Sequence, residues 1–309
     1  MQKKKLYLIL LILGTAFWGI SFSVTKIGVA AGSLYVFLVY RLALATIILS
    51  VFFAKYFKNT DRKSITGGIM LSFPLTFGII LQTKGLEYLP ASQCTFIAGI
   101  CVILVPVLKW MLYKTVFSGK IWVASLIALL GLAIISISDG LTINRGTIYV
   151  ILGTIGFSIY LIMVEKQKDK HEIITTIVPM FAASTVICLI FALTDNQQNW
   201  LIEDHNFWTA VVYCAVFSTA YMYAVSMISQ NYLSAEKVAI IYLFEPVFGA
   251  FAAFFILDEA LTWKLLIGGT LILTATIWSE IDLSVRKKGR KYIITKNYNI
   301  NEPNRNQNS

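Results

Sequence analysis

YLPASQCTFIAGICVILVPVLKWMLYKTVFSGK, residues 88–120, has a counterpart 144 positions later in YLSAEKVAIIYLFEPVFGAFAAFFILDEALTWK, residues 232–264. Each segment opens on Tyr-Leu, closes on Lys, and holds one long apolar run followed by a turn and the start of another. The runs 91–113 and 235–257 are long enough to cross a bilayer, whose hydrocarbon core of about 30 Å needs about 20 apolar residues rising 1.5 Å each.

Working outward, eight more runs pass the same length test: 6–30, 34–54, 65–84, 119–138, 145–165, 174–193, 207–229 and 263–281. The longest joint, from Thr194 to Asn206, is far too short for a soluble domain. With 57% apolar residues and a mean hydropathy of +0.73, the chain has too little polar surface to cover a water-soluble core. A second, shorter repeat carries Ile12-Leu13-Gly14-Thr15 onto Ile151-Leu152-Gly153-Thr154. Each half has five runs, and an odd number turns the second copy upside down relative to the first. The expected fold is an all-α integral membrane protein of ten transmembrane helices in a 5+5 inverted repeat. Residues 1–140 form the first repeat, 141–281 the second, and 282–309 a basic, disordered tail.

The net charge of +10 follows from topology and not from nucleic acid, because the cations are spread over alternate joints and not gathered on one face. Nineteen of the 26 Lys and Arg fall on the side of the N-terminus, against Lys84, Arg145 and Lys264 on the other. Such an excess places both termini in the cytoplasm and the chain in the plasma membrane. Lys3 to Lys5 before an apolar run is reminiscent of a signal peptide, but the run is too long and Lys26 interrupts its end. Cys94, Cys101, Cys188 and Cys214 all lie within runs without a Cys-x-x-Cys pair, and so read as small packing residues. No metal, cofactor or phosphate-binding loop is expected.

Glu245 lies near the middle of the run 235–257, where a charged side chain costs roughly 2.5–3.5 kcal/mol to insert. It reads as a ligand for an ammonium-bearing solute or as a proton site; the alternative is a carboxylate that satisfies a neighbouring cation or the proline break beside it. Tyr242 falls on the same helical face, one turn before it. Trp18, midway along the first run and away from both interfaces, reads as cavity-lining, with Phe22 and Lys26 continuing the stripe outward. Lys26 and Arg41 form the charges of the outer half, either landing points for a carboxylate or, as the alternative, a Lys26 that snorkels outward and an Arg41 that pairs with Glu87 or another acid. Gln82, Gln93, Tyr160, Ser218 and Tyr221 supply neutral donors and acceptors. Pro106 and Pro246 are the expected helix bends, since proline removes a helical hydrogen bond and loosens the turn before it.

Phe17-Trp18-Gly19 with Lys26, Arg41, Tyr88-Leu89-Pro90-Ala91 to Val105-Pro106, Leu243-Phe244-Glu245-Pro246-Val247, Leu257-Asp258-Glu259-Ala260-Leu261-Thr262 and Gly268-Gly269 together resemble the drug/metabolite transporter superfamily, in its EamA-type ten-helix branch. The sequence departs from symmetry at Thr115, which stands where the second half has Glu259, and at Phe157-Ser158, which stand where the first has Trp18-Gly19. The resemblance implies a cavity lined by spans 1, 3, 4, 6, 8 and 9, opened to one face at a time by helix bends. It implies a secondary transporter of a small organic metabolite, an amino acid or related compound, in the export direction, with proton coupling through Glu245 as one route. Multidrug or organic-cation efflux is the alternative, and a non-transporting membrane assembly or sensor protein is the alternative from another class. Paired catalytic groups at depth are lacking, so the chain is not read as an enzyme.

Besides the solute, the expected partner is membrane lipid: Arg286 to Lys291 should lie on anionic headgroups at about 1 kcal/mol per cation. Deletion of residues 292–309 is expected to leave solute flux intact at equal expression, measured in vesicles; a loss of flux would give the tail a role in transport.

Overall fold

The computed structural model describes residues 2–114, 119–136, 144–167, 173–194, 199–233, 235–242 and 244–280. The basic tail expected over 282–309 and the position Thr115 lie outside the described residues. Among those described, all regular structure is helical. In chain order the helices are α1 (Gln2–Ala31), α2 (Leu34–Phe52), α3 (Arg62–Leu86), α4 (Ala91–Ala98), α5 (Cys101–Tyr113), α6 (Gly119–Ser136) and α7 (Arg145–Gln167). They continue as α8 (Ile177–Thr194), α9 (His205–Tyr213), α10 (Met222–Ser229), α11 (Ala235–Ile241), α12 (Phe244–Leu257) and α13 (Trp263–Glu280). A helix satisfies every backbone N–H and C=O within its own segment, which is what the bilayer interior demands of apolar runs. Polar starts are capped by side chains: Asp61 accepts from Ser64 N at 2.8 Å before α3, and Asp204 from Asn206 N at 2.7 Å before α9.

Seven helical stretches among the described residues are long and apolar enough to span a membrane, including Ala91–Tyr113 and His205–Ser229, each of which passes through an irregular turn. The run 235–257 is broken after Ile241, leaving the shorter apolar helix Phe244–Leu257. The runs 119–138 and 263–281 hold α6 and α13, of 18 residues each, which end at the limits of the described residues.

The two matched segments share their irregularities. The first breaks between Ala98 and Cys101 and the second between Ile241 and Phe244, one residue out of register under the shift of 144. The first break is a tight turn in which Ile100 N, Val102 N and Ile103 N each bond the carbonyl three residues back. Both helices that follow stop on a left-handed residue, Lys114 at φ 55° and Asp258 at φ 53°, again 144 positions apart. α5 stays helical through Pro106, the residue expected to mark a bend, and the break in this run lies before Cys101. Pro246 does sit beside its break, in the first turn of α12, where a missing N–H leaves no helical bond undone. Gly99 at one break packs on Pro246 at the other, so the two irregular turns abut.

The bundle is assembled by close helix pairs: α3 lies along α7 and α8, α6 along α13, α1 along α12, and α2 along α8. In a membrane, where lipid is as apolar as leucine, such pairs form where small residues let backbones approach. A Cβ at Gly153 would stand 2.9 Å from Gly78 O and 3.0 Å from Gln82 N, and one at Gly131 would stand 2.6 Å from Gly268 O. Large apolar side chains such as Phe73, Ile47 and Phe255 point outward and are exposed, as a lipid-facing surface requires. Gly153→Leu is expected to lower stability in detergent by about 1–3 kcal/mol through overpacking of α3 against α7. The control Ile148→Leu, on the exposed face of α7, should change it by less than about 0.5 kcal/mol in the same thermal scan.

Candidate functional site

Glu245 is the second residue of α12, so the break that precedes this helix sets its depth. Its N–H donates to Tyr242 O at 2.9 Å across the break. Two close crossings hold the backbone there. On one side α1 lies against it at Gly19, where a Cβ would come 2.7 Å from Glu245 O and 2.6 Å from Gly249 N. On the other side α4 presses Thr95 against Gly249, whose Cβ would come 2.4 Å from Thr95 Cγ2. Gly249 therefore serves helix packing. The Glu245 side chain is 7% exposed, and among the described residues no cation lies within 4.0 Å of it. A buried carboxylate without a countercharge is costly, and it is retained where it has other work.

That carboxylate faces a space of about 30 Å³ lined by Trp18 of α1, Gln82 of α3, Gly99 and Cys101 at the break before α5, Thr154, Phe157 and Tyr160 of α7, and Tyr242. Trp18 is part of its wall, edge-on to Tyr242 at 4.9 Å, to Tyr223 at 5.3 Å and to Phe157 at 6.2 Å. Tyr242 is oriented by a 2.5 Å hydrogen bond between its hydroxyl and Ser226 Oγ. Tyr160 is fully buried, and its hydroxyl has no hydrogen-bond partner among the described residues. Aromatic faces, one acid and an uncommitted hydroxyl can receive a cation by charge and by its attraction to aromatic faces. The volume is well below that of a pocket that holds an organic ligand, so the centre of the bundle is closed in this conformation.

A second small space, of about 20 Å³, lies on the other side of Trp18, Gln82 and Phe157 and is lined further by Phe22, Thr25, Arg41 and Tyr223. Arg41 is buried, and donates from Nε to Thr219 Oγ1 at 2.9 Å and from Nη2 to Ser218 Oγ at 3.2 Å. The expected pairing of Arg41 with Glu87 is thereby corrected: hydroxyls of the segment 214–221 take the guanidinium, while Glu87 sits exposed past the end of α3. Lys26 is likewise not offered to a solute, since its ammonium donates to Leu89 O at 2.8 Å and pairs with Glu259 at 3.6 Å.

The structure thus gathers Trp18, Gln82, Tyr160, Tyr242 and Glu245 around one space and Phe22 and Arg41 around its neighbour. It does not bring Gln93, Ser218 or Tyr221 to either lining. Ser218 stands behind Arg41 as its acceptor, and Tyr221 turns away to Leu10 O at 3.1 Å and the ring of Phe17. The reason is a π-helix over Cys214–Tyr221: bonding to the fifth residue lengthens the turn and shifts the face, so that Tyr223 points inward in place of Tyr221. Phe157 was legible as the counterpart of Trp18, whereas Tyr223, Cys101 and Thr154 carried no signal beyond an apolar run.

Replacing the uncompensated acid by its neutral isostere in Glu245→Gln is expected to raise the melting temperature in detergent by a few degrees, as removing a buried lone charge should. A fall in melting temperature would instead show that the carboxylate holds the fold together.

Comparison with known proteins identifies the family and the fold. The EamA-like transporter family matches residues 5–137 and again 144–280. An "uncharacterized transporter" of Archaeoglobus fulgidus is 27% identical over 89% of this chain and 86% of its own length. A protein of Rickettsia prowazekii named "S-adenosylmethionine uptake transporter" is 22% identical over 77% of this chain and 80% of its own. A solved crystal structure superposes with a TM-score of 0.66 over 91% of this chain and 97% of that one, at 12% identity, and so shares its fold. With the helical membrane fold, the closed polar centre and the family match over both halves, the chain belongs to the EamA-like transporter family, as a multi-pass membrane transporter and not an enzyme.

Proposed function

We propose that the protein moves a small zwitterionic metabolite, an amino acid or a related compound, across the plasma membrane by alternating access about the space beneath Glu245. The observation that carries this reading is the pairing of opposite charges in adjoining spaces: a buried carboxylate without a described countercharge in one, and a buried guanidinium held by hydroxyls in the other. Trp18, Gln82 and Phe157 form the wall common to both. An α-amino acid carries an ammonium and a carboxylate that suit these two ends, and Tyr160, Tyr242 and Trp18 offer aromatic faces for its side chain. A relative named for S-adenosylmethionine uptake fits the same chemistry, because that solute joins an amino-acid group to a cationic sulfonium.

The wider frame of this reading is ten transmembrane helices in a 5+5 inverted repeat, divided at about residue 140, with both termini cytoplasmic. Support comes from the family's two matches, from the nearly matched breaks and the matched left-handed stops of the segments 88–120 and 232–264, and from the distribution of cations along the sequence. The centre is closed here, so the broken helices are the parts that must move for a solute to enter.

Organic-cation efflux is the second reading, favoured by an acid ringed by aromatic side chains. Counterflow in proteoliposomes with labelled amino acids, S-adenosylmethionine and simple organic cations separates the two. Under the zwitterion reading Glu245→Gln lowers flux of all ammonium-bearing solutes by about tenfold or more, while Arg41→Met and Arg41→Lys impair only those with a carboxylate. If Arg41 variants carry amino acids as well as the parent does, the cation reading takes over. If Glu245→Gln leaves all flux unchanged, the acid is structural and the site lies elsewhere around Trp18, Tyr160 and Tyr242. Loading the label inside or outside oriented vesicles then reads the direction, export or uptake, and a pH gradient reads proton coupling.

A further inference from the structure

Two charge clusters stand at opposite ends of the bundle. The helices α3 and α7 run antiparallel, as shown by the contacts of Gly85 with Gly146, Gly78 with Gly153 and Pro74 with Gly156. α4 begins where α3 ends, and α11 begins beside the far end of α7. At the first of these ends Glu259, just past α12, accepts from Ala91 N at 2.7 Å, Ser92 N at 3.0 Å and Ser92 Oγ at 2.7 Å, all in the opening turn of α4. The ammonium of Lys26 stands 3.6 Å from the same carboxylate. At the opposite end Glu165, near the finish of α7, accepts from Ala235 N at 3.3 Å, the first residue of α11, and forms an ion pair with Lys109 of α5.

The two clusters correspond in part through the internal repeats, although Glu259 has Thr115 as its counterpart and Lys109 has Ala253. The shift of 144 carries Ala91 onto Ala235, and the shift of 139 that matches Ile12-Thr15 with Ile151-Thr154 carries Lys26 onto Glu165. Each ion pair joins the first half of the chain to the second. Each acid also fixes the N-terminus of a short helix whose other end is a break beside the central space. α4 and α11 are therefore short helices, each held by a carboxylate at its start and ended by a break. Glu259, Glu165 and Lys109 retain 14%, 18% and 16% side-chain exposure and Lys26 35%, so none of the four side chains is sealed in the interior as Glu245 is.

We propose that Lys26–Glu259 and Lys109–Glu165 are two latches, one at each membrane face, that hold α4 and α11 shut, and that both are closed in this structure. Parting one latch lets its short helix swing and opens the central space to that face alone; the inference rests on the alternating-access reading above and assigns its gates to residues.

Native Cys101 lines the central space and supplies the probe. In a chain carrying Cys94→Ala, Cys188→Ala and Cys214→Ala, a membrane-impermeant methanethiosulfonate is applied to each side of oriented vesicles without any solute. Glu259→Gln is expected to raise the labelling rate of Cys101 by about tenfold from the face that bears the start of α4, and Glu165→Gln from the opposite face. Lys26→Met, which leaves the acid and its backbone bonds in place, is expected to act in the same direction as Glu259→Gln. Unchanged labelling in either acid variant, equal gains from both faces, a gain from the wrong face, or an inert Lys26→Met would each overturn the proposal. Because no solute is needed, a failed transport reading shows itself separately, as normal latch behaviour without flux in counterflow.

Discussion

A backbone in hydrocarbon has no water to bond with, and every other feature of this protein is arranged around that constraint. It makes the apolar runs helical, and it restricts any break in them to places where protein or a cavity can accept the freed groups. The two breaks among the described residues that interrupt such runs between helices, at 99–100 and after Ile241, lie against each other through Gly99 and Pro246 and border the same central space. The π-helical stretch 214–221 is a further departure from regular bonding, and it gives Arg41 its two hydroxyl acceptors. Irregular backbone and polar side chains thus share one location, because each makes the other tolerable.

The intramembrane charges sort by what they touch. Glu259 is engaged four times over, by two N–H groups, a hydroxyl and Lys26, and Glu165 by Ala235 N and Lys109. These acids have partners for their charge, and they lie near the ends of helices. Glu245 has the opposite character: deeper in its run, almost fully buried, and lacking a described cation. A carboxylate in that position destabilises the fold unless a ligand or a proton completes it, which is the reason the proposed site is centred there.

The aromatic wall has a structural logic of its own. Trp18 and Phe157 occupy equivalent places in the two halves under the shift of 139, and they meet edge-on between the two small spaces. Gly19, next to Trp18, lets α1 lie on the backbone of Glu245, while its counterpart Ser158 turns into its own helix and toward Cys101. The pseudo-symmetry is kept in the large side chains that close the centre and given up in the small ones beside them. An asymmetric solute with unlike charged ends would require such a difference between the halves.

The sequence by itself determined the helical membrane fold and singled out Glu245 as a charge inside an apolar run, because bilayer thickness turns hydropathy and length directly into structure. It also located Trp18, Tyr160, Tyr242 and Gln82, whose size or polarity is out of place in lipid. Only the tertiary structure decided which polar groups are spent on each other. The hydroxyls on Arg41, the Glu259 bridge to Lys26 and α4, and the substitution of Tyr223 for Tyr221 each depend on contacts between residues far apart in the chain or on a local change of helical pitch. The break before Cys101 escaped the proline rule for the same reason. A helix bends where its neighbours leave room and supply hydrogen bonds, and composition along one strand of sequence does not contain its neighbours.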